Sequence, residues 1–321
     1  FLRSFVTSSH SFLCSFVTLF LCSQKQIAIF FEKYLFKHMF GYRKGYSTQH
    51  ALIVMLEKWK LMLDKKGYCA ALLMDLSKAF DTINHELLLA KLHAYGFDRK
   101  ALLLIKDYLT NRWHRTKMNL SFSSWEEVLF GVPQGSVLGP LLFNIYFNDL
   151  FYELVESDAS NYADDTTLHL CSISLSNLDK RLKHNTNLAI EWFESNYMKL
   201  NKEKCHFLTA GHNEHLSINV GKDKIWESQS EKLLGVQVDP QLKFDFHIKD
   251  TLKKAGRKLS ILARLSNILS LPKMRILIKS FFDSQFSYCS LVFMFCSRSL
   301  NNRIDRLQER ALRILRRCLH I

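Results

Sequence analysis

Alternating apolar and polar positions predict a β-hairpin near the middle of the chain. Residues 161–168 read Asn-Tyr-Ala-Asp-Asp-Thr-Thr-Leu, and Leu168 and Leu170 continue an apolar alternation of period two. This pattern is typical of a strand, a tight turn and a second strand, with Asp164 and Asp165 at the tip. Because neighbouring side chains on a strand point to opposite faces, we expect only one of the two carboxylates to point directly into a shared site. A solvated surface turn would carry the same Asp pair, so the hairpin alone does not establish a function.

A second apolar segment ends in a carboxylate. Residues 70–74 form a near-continuous apolar run of strand length, and Asp75 follows it directly. A buried strand that ends in an acidic residue is a rigid way to place a metal ligand, and a lone carboxylate there is costly unless it is paired or metal-bound. A helix cap is the alternative, since Asp75 or Ser77 could cap a helix that we expect to begin near Lys78.

A third segment combines glycines and prolines with a long apolar run. Residues 131–140 read Gly-Val-Pro-Gln-Gly-Ser-Val-Leu-Gly-Pro, and a predicted helix over residues 141–150 follows. Glycines permit close approach of a ligand to the backbone, and the start of a helix offers free N–H groups. An ordinary strand-to-helix loop would have the same composition.

Apolar residues at helical spacing predict that much of the remaining chain is α-helical. A helix over residues 48–63 is expected to be capped by Ser47 or Thr48, and Gly96 separates two others. The most basic helix is expected at residues 301–320, with Ile304, Leu307, Ala311, Ile314 and Leu315 on one side and Arg303, Arg306, Arg310, Arg313 and Arg317 largely off it. The other predicted helices span residues 27–40, 86–93, 101–109, 178–198, 246–268 and 274–282.

A strand pair is expected to end near Leu129, and its first strand is basic. Arg112, Arg115 and Lys117 are interleaved there with Trp113. Such a strand could contact the phosphates of a nucleic acid, or it could be a solvated basic edge strand.

Composition adds a large core and a polyanionic partner to this picture. The chain has 321 residues, of which 48% are hydrophobic, enough for two or three subdomains. Its net charge of +14 favours polyanionic partners, although a merely soluble basic protein could carry the same charge. None of the eight cysteines forms a Cys-x-x-Cys motif, which argues against a zinc knuckle or a redox motif. Cys289 and Cys296 lie in apolar runs and are expected to be reduced, as in an intracellular protein.

Both ends of the chain differ from its middle. Residues 1–31 do not resemble the rest of the chain, and within them residues 11–22 form an apolar, Ser-rich run. This run is too short and too Ser-rich to span a bilayer, and no membrane association is expected. It also has no initiator Met and no Ala-x-Ala-type cleavage site. We interpret it as sequence upstream of a decayed or mis-spliced reading frame, without a function of its own. At the other end, no cap precedes Ile321, which suggests truncation.

Taken in order, the Asp75 strand, the loop over residues 131–140 and the Tyr162–Asp165 hairpin resemble the palm of a reverse transcriptase. A wider resemblance extends over roughly residues 40–320. From Gly41-Tyr42-Arg43-Lys44-Gly45-Tyr46-Ser47-Thr48 to Leu233-Leu234-Gly235-Val236, the chain is similar to the polymerase of a jockey-type non-LTR retrotransposon.

This resemblance implies an α+β right-hand polymerase, with an antiparallel palm sheet backed by helices, partial fingers and a helical thumb. Residues 1–39 would be a leader and a remnant fingers helix, and residues 40–238 the reverse transcriptase domain. Residues 239–321 would be the thumb and a basic C-terminal segment.

The resemblance also implies two-metal nucleotidyl transfer, with two Mg²⁺ ions or with Mn²⁺ in their place. Asp75 and Asp164 are the expected carboxylate ligands, Asp165 a weaker third, and the backbone carbonyl of Leu76 a further ligand. Lys204, in a segment that resembles the fourth palm motif, would protonate the departing pyrophosphate. An exposed lysine in a turn is the alternative.

Further contacts follow from the same resemblance. Phe80 would be an aromatic gate against the ribose 2′-hydroxyl, although core packing could also explain it. Binding of the nucleotide and template is expected from Arg43, Gln134, Gly135 and Tyr162, and binding of the primer or nucleic acid from Leu234, Gly235, Arg306, Arg310 and Arg313.

The implied activity is that of an RNA-directed DNA polymerase, which extends a DNA primer on an RNA template with deoxynucleoside triphosphates. The expected location is intracellular, in the nucleus or the cytoplasm. A second reading remains open, namely a catalytically inactive remnant that binds nucleic acid. An upstream Arg-Pro-Ile-Ser-type segment usual in the family is not recognisable here.

Overall fold

Strand β1 (Tyr68–Met74) lies inside the main sheet and is buried on both faces. The computed structural model describes residues 25–154, 158–212 and 214–318. The sheet order is β6-β7-β1-β8, and all neighbouring strands are antiparallel. Its other members are β6 (Asp158–Tyr162), β7 (Asp165–Ser172) and β8 (His206–Ala210). The predicted apolar strand and the predicted hairpin are both confirmed.

The two faces of β1 belong to two different cores because its side chains alternate. Ala70, Leu72 and Met74 face one core, and Cys69 and Ala71 face the other. Helices of the first core are α1 (residues 25–32), α3 (His85–Ala94), α4 (Arg99–Leu109), α5 (Gly139–Phe147), α6 (Leu150–Glu153) and α7 (Leu175–Ser195).

The second core joins the sheet to the C-terminal helices. Its main contributors are α2 (Thr48–Asp64), α8 (Asp245–Leu265) and the hairpin of β11 (Glu231–Leu233) and β12 (Val236–Val238). The predicted cap of α2 is Ser47, whose hydroxyl accepts the His50 N–H. Strands β9 (Ser217–Val220) and β10 (Asp223–Trp226) form another hairpin.

A third core holds the C-terminal helices together. It is built from α8, α9 (Leu271–Ile278) and α11 (Arg298–Arg317), with α10 (Ser284–Ser287) between the last two. Ala311 and Ile314 are buried on α11, whereas its arginines are exposed. The predicted amphipathic helix is therefore confirmed, with bounds shifted toward the N-terminus.

The helix predicted over residues 27–40 is shorter in the structure, where it ends at residue 32. The chain turns away after it because Asn148 binds the next segment. The Asn148 side chain accepts the Phe36 N–H at 2.7 Å and donates to the Tyr34 carbonyl at 2.9 Å. Phe31 of this helix is fully buried in the first core. The interpretation of residues 1–31 as a segment without a function concerns mainly residues 1–24, which lie outside the described part of the chain.

The helix expected to begin near Lys78 is wrong. Residues 77–81 form turns, with Lys78 in the left-handed region (φ 51°), and α3 begins only at His85 with Asn84 as its N-cap. The reason is a competing backbone pairing, since the Ser77 N–H donates to the Lys199 carbonyl at 2.8 Å. Neither Asp75 nor Ser77 is therefore a helix cap.

Residues 111–130 form an exposed two-stranded ribbon, as the sequence predicts. It consists of β2 (Trp113–His114), β3 (Lys117–Met118), β4 (Ser121–Phe122) and β5 (Glu126–Glu127). β2 pairs with β5, and β3 pairs with β4.

Two further expectations concern thiols and membranes. Cys289 and Cys296 are in the thiol form, as expected, and no disulfide joins any of the six cysteines among the described residues, at positions 69, 171, 205, 289, 296 and 318. Among the helices of the described part of the chain, none is long and apolar enough to cross a membrane.

Replacement of Asn148 tests how the segment after α1, which contains Tyr34 and Phe36, is attached to the rest of the protein. Asn148→Ala is expected to lower the free energy of unfolding by about 1–3 kcal/mol, because partly buried backbone groups lose their partners. Urea unfolding followed by circular dichroism measures this change. Asn302→Ala, at an exposed position of α11, is the control and should change stability by less than about 0.5 kcal/mol. Equal effects of the two substitutions would contradict the anchoring role.

Candidate active site

The register of the sheet brings two carboxylates together at the end of β1. Met74 pairs with Thr166 in the antiparallel register of β1 and β7. Continuation of this register by one residue would place Asp75 opposite Asp165, and the charge of Asp75 does act on the Asp165 carboxyl. Directly opposed residues on neighbouring strands are close enough for their side chains to interact. The structure thus brings Asp165 into the same cleft as Asp75, whereas the resemblance makes Asp165 the weaker ligand, and their ligand roles stay predictions.

Asp164 lies in the turn between β6 and β7. The backbone at Gly41 packs against that turn. Ala163 before it has a left-handed backbone (φ 61°), and the Asn161 side-chain amide donates to the Ala163 carbonyl at 2.8 Å. A side chain at Gly41 would meet the Ala163 nitrogen at 2.3 Å, so the two backbones are in direct contact. This contact needs glycine at position 41.

Negative charge is concentrated around Asp165. Packing around its carboxyl raises the pKa of Asp165, and the charges of Asp164 and then Asp75 raise it further, although the side chain keeps access to solvent. Burial and the charge of Asp164 likewise raise the pKa of the Tyr42 phenol. Asp164 therefore lies near Tyr42 as well as near Asp165.

A small cleft of about 120 Å³ opens at this end of the sheet. It is lined by Asp75, Asp165 and Lys204, together with His206, Lys232 and Leu234. Lys204 ends a 3₁₀ helix, and its Nζ atom lies 3.6 Å from Asp75 Oδ2. With two thirds of its side chain exposed, Lys204 can contact a ligand as well as Asp75.

Whether these residues suit a divalent cation can be judged from their donor atoms. Within the described ranges, no three His, Cys, Asp or Glu side chains converge closely enough to hold a metal ion. The donors at this end of the sheet are nevertheless carboxylate oxygens, which hard cations such as Mg²⁺ prefer. Burial, and then the charges of Asp164 and Asp75, raise the pKa of Asp165, and a bound cation would offset both effects.

Leu76 directly follows Asp75 and pairs with a more distant part of the chain. Leu76 and Leu200 form an isolated antiparallel bridge, in which Asn201 N–H donates to the Asp75 carbonyl and Ser77 N–H to the Lys199 carbonyl. Neither bond uses the Leu76 carbonyl. Its role as a ligand stays a prediction.

Phe80 packs between two aromatic rings. It stacks on Phe143 of α5 with 4.3 Å between ring centroids, and the Tyr42 ring meets it edge-on at 5.9 Å. The stack on Phe143 is what the core-packing alternative requires, and half-burial of Phe80 leaves part of the ring accessible. The gate role stays a prediction.

The loop of residues 131–140 is tied to the same region. Val132 N–H donates to the Phe80 carbonyl at 2.9 Å, and the Gln134 side chain donates to Asp81 Oδ1 at 2.8 Å. Gly135 has φ 78°, and a side chain built on it would meet no atom within 4 Å. Gln134 and Gly135 are both exposed, as contacts to a template or nucleotide would require.

Arg43 is engaged within the protein. Its side chain is 5% exposed, and its guanidinium forms an ion pair with Glu32 and donates to the carbonyls of Phe36 and Met39 at 2.9 Å each. The structure therefore does not bring Arg43 into the cleft. Tyr162, by contrast, pairs with Asp165 across the hairpin turn.

The β11–β12 hairpin reaches the cleft through its turn. Leu234 and Gly235 both have positive φ angles, 44° and 84°, as a two-residue hairpin turn requires. The Tyr288 hydroxyl donates to the Leu234 carbonyl and so fixes this turn against the C-terminal helices. Leu234 lines the cleft together with Asp75 and Asp165.

The predicted arginines of α11 lie away from the cleft lining and are exposed. Arg310 donates to the Ser260 hydroxyl at 3.1 Å, and Arg313 lies 3.5 Å from Glu309. Arg306 is exposed on the same helix. Their contact with nucleic acid stays a prediction.

Two residues of the site were not singled out from the sequence. Tyr42 lies near Asp164 and touches Phe80, and Asp81 holds Gln134. Both are next to residues that the sequence did single out, Arg43 and Phe80. Their proximity to those motifs was the available signal.

Comparison with known proteins adds to this geometry. A family model described as "Reverse transcriptase (RNA-dependent DNA polymerase)" matches residues 21–238. Two relatives from Drosophila melanogaster are a probable RNA-directed DNA polymerase from transposon BS and the RNA-directed DNA polymerase from mobile element jockey. The transposon BS protein is 27% identical over 88% of this chain and 32% of its own length. The jockey protein is 28% identical over 86% of this chain and 31% of its own length. The chain thus spans about a third of the length of these curated relatives.

Among solved structures, apo telomerase from Candida tropicalis has the same fold. It aligns with a TM-score of 0.50 and 11% identity over 92% of this chain and 54% of the telomerase chain. The α+β right-hand polymerase fold expected from the sequence is confirmed. Since the family model covers well over half of its residues, the chain belongs to the reverse transcriptase family and is similar to non-LTR retrotransposon polymerases of the jockey type.

Proposed function

We propose that this chain is an RNA-directed DNA polymerase that extends a DNA primer on an RNA template with deoxynucleoside triphosphates. One observation carries the proposal, namely the juxtaposition of Asp75 and Asp165 by the β1–β7 register in a member of the reverse transcriptase family. The +14 net charge is consistent with nucleic-acid substrates. Because such substrates are intracellular, we infer that the chain acts in the nucleus or the cytoplasm.

Reverse transcriptases are generally divalent-metal dependent. In our proposal Asp75, Asp165 and Asp164 hold two Mg²⁺ ions, with the Leu76 carbonyl as a further ligand. Such ions supply a more nucleophilic 3′-hydroxyl and neutralise charge on the triphosphate. Small shifts of the hairpin turn would be needed for all three carboxylates to converge.

The other residues of the cleft position the reactants. Lys204 is close enough to Asp75 to sit beside the triphosphate and, in this proposal, protonates the leaving pyrophosphate. Phe80 and Tyr42 form a wall beside the nucleotide sugar, and Gln134, held by Asp81, orients the templating base. Positioning of this kind contributes a large share of the rate in nucleotidyl transfer.

Nucleic acid is proposed to lie along two further features. The Leu234–Gly235 turn holds the primer terminus, because it lines the cleft and is anchored by Tyr288. The exposed arginines of α11, namely Arg306, Arg310 and Arg313, contact the phosphate backbone.

A second candidate function is nucleic-acid binding without catalysis. The observation that favours it is Arg43, whose guanidinium is committed to Glu32 and to two backbone carbonyls instead of the cleft. Primer extension distinguishes the two candidates, because both predict binding and only one predicts synthesis.

Removal of single ligands tests the proposed catalysis. Asp75→Asn and Asp165→Asn should each slow primer extension on an RNA template by more than about a hundredfold, equivalent to about 2.7 kcal/mol of lost transition-state stabilisation. Binding of the template–primer should stay nearly unchanged, because bulk is retained. Extension is measured on poly(rA)/oligo(dT) with Mg²⁺, with and without a chelator.

Asp179→Asn is the matched control, since Asp179 is paired with Lys183 on the surface of α7. Its rate should equal that of the parent chain. Extension by Asp75→Asn within tenfold of the parent would refute the assignment, and a parent chain that binds without extending would favour the second candidate.

Replacement of Phe80 distinguishes its role as a gate against the ribose 2′-hydroxyl from a role in core packing. If the ring excludes the 2′-hydroxyl, Phe80→Ala should keep DNA synthesis measurable and raise relative ribonucleotide incorporation at least about tenfold, or about 1.4 kcal/mol. If the ring only packs on Phe143, both activities should fall together. The ratio of the two rates on one preparation is the measurement, and an unchanged ratio in a folded variant removes Phe80 from the sugar pocket.

The raised pKa of Asp165 predicts a stability effect. A carboxyl whose pKa is raised in the folded state makes folding less favourable once it is ionised, above its folded pKa. Asp165→Asn removes that charge and should therefore raise the thermal midpoint at pH 7. The gain should shrink as the pH falls and vanish where an ordinary aspartate is protonated. A lower midpoint for Asp165→Asn at pH 7 would contradict the crowding of charge.

A further inference from the structure

The ribbon of residues 111–130 presents large apolar side chains to solvent. Trp113, Phe122 and Trp125 are 53%, 50% and 56% exposed. Other exposed apolar residues in this segment are Met118, Leu120, Leu129 and Phe130. Apolar patches of this kind on a soluble protein commonly mark an interaction site.

A bulge gathers the aromatic side chains on one face. His114 pairs with Glu126 and Lys117 with Phe122, so three steps along the first strand match four along the second. The extra residue lies at Ser124–Trp125, and bulges of this kind re-aim side chains. Arg115 accordingly lies over both rings, with its guanidinium carbon 4.0 Å from the Phe122 centroid and 4.6 Å from the Trp125 centroid.

The same face alternates rings with cations. Trp113, Arg115 and Lys117 are two residues apart and share one side of the strand, and Phe122 is the cross-strand partner of Lys117. We call Trp113, Arg115, Lys117, Phe122 and Trp125 the ribbon face. Met118, one position beyond Lys117, points to the opposite side.

Charge on this part of the ribbon has one sign. Residues 108–125 contain three Lys or Arg and no Asp or Glu. Glu126 and Glu127 follow at the base of the ribbon, where Glu127 pairs with Trp113. The distal part of the ribbon face is therefore complementary to a polyanion.

The base of the ribbon is continuous with the candidate active site. Phe130 forms a bridge with Asn84, and the next two residues donate to the carbonyls of Ile83 and Phe80. The ribbon thus leads directly into the loop that carries Gln134. A strand of nucleic acid that leaves the proposed template site on this side would reach the ribbon face.

From this geometry we propose that the ribbon face binds unpaired nucleic acid, by stacking of bases on its rings and contact of phosphates with its cations. The proposal rests on the proposed function, for which the unpaired strand would be RNA template not yet copied. Aromatic rings with interleaved Lys and Arg are the general chemistry by which proteins bind single strands without reading sequence. A duplex, whose bases are stacked on each other, cannot use the rings in this way.

Equilibrium binding to a labelled RNA tests the inference. The probe is a single strand of about 12 uridines, a length that one such platform can span, and no nucleotide is added. Phe122→Ala and Trp125→Ala should each weaken binding about tenfold. The slope of log affinity against log salt should equal that of the parent chain, because stacking releases no counterions. Lys117→Ala should make the slope of log affinity against log salt shallower by about 0.7.

Met118→Ala is the matched control, since Met118 is apolar, 74% exposed and on the opposite side of the same strand. Its affinity should equal that of the parent chain. Phe122→Leu, which keeps apolar bulk but removes the ring, should behave like Phe122→Ala, and an unchanged thermal midpoint shows that each variant is folded.

Other occupants of the ribbon give different results. Equal losses for Met118→Ala and Trp125→Ala, or equal losses on single-stranded and duplex RNA, would overturn the stacking inference. So would self-association of the parent chain that the ring variants abolish, because the ribbon would then bind a second copy. If the parent chain extends primers and the ring variants bind RNA as tightly as the parent, only the inference about the ribbon face is overturned. If the ring variants bind RNA more weakly but the parent chain cannot extend primers, only the proposed polymerase activity is overturned.

Discussion

The register between β1 and β7 is the constraint on which the candidate site depends. Both strands are held by apolar contacts on each face of the sheet, and a slip of one residue would exchange every inward and outward side chain. The two cores therefore determine where Asp75 ends relative to Asp165. Carboxylates that repel one another can be kept together only by such a rigid support. Energy from burial of the sheet thus offsets the electrostatic cost of the site.

The elements around the cleft differ in how firmly they are held. The Asp75 side continues directly from a buried strand, whereas Lys204 stands at the end of a short exposed 3₁₀ helix. Such an arrangement is common where one side of a site must stay fixed while another follows a moving substrate. For a polymerase that advances along a template, the fixed side would be the one that carries the carboxylates.

Much of the fold follows from local patterns in the sequence. The apolar run before Asp75, the alternation after Asp165 and the helix capped by Ser47 all have short-range causes, and all three were predicted. The resemblance to reverse transcriptases then supplied the arrangement of these elements. By contrast, the proximity of Asp75 to Asp165 depends on strand register, which no single segment encodes.

Predictions were wrong where a distant group changed the local outcome. The expected helix at Lys78 is replaced by turns because Ser77 pairs with Lys199, and the helix before residue 40 stops early because Asn148 binds Phe36. The contacts of Arg43, whose role in binding the nucleotide or template stays a prediction, have a similar cause, since Glu32 and two carbonyls bind its guanidinium. In each case the partner is remote in sequence or is a backbone group, and neither is visible in a local pattern.

The contact between Gly41 and Ala163 has a mechanical consequence. Phe40 N–H donates to the Asn161 carbonyl, and Asn161 N–H donates to the His38 carbonyl, so the hairpin is bonded to the segment just before Gly41. Arg43 in turn clamps that segment to Glu32. A displacement near Glu32 would therefore be transmitted through backbone bonds to the turn that carries Asp164. The segment of residues 32–43 thus couples the ion pair at Glu32 mechanically to the hairpin that carries Asp164.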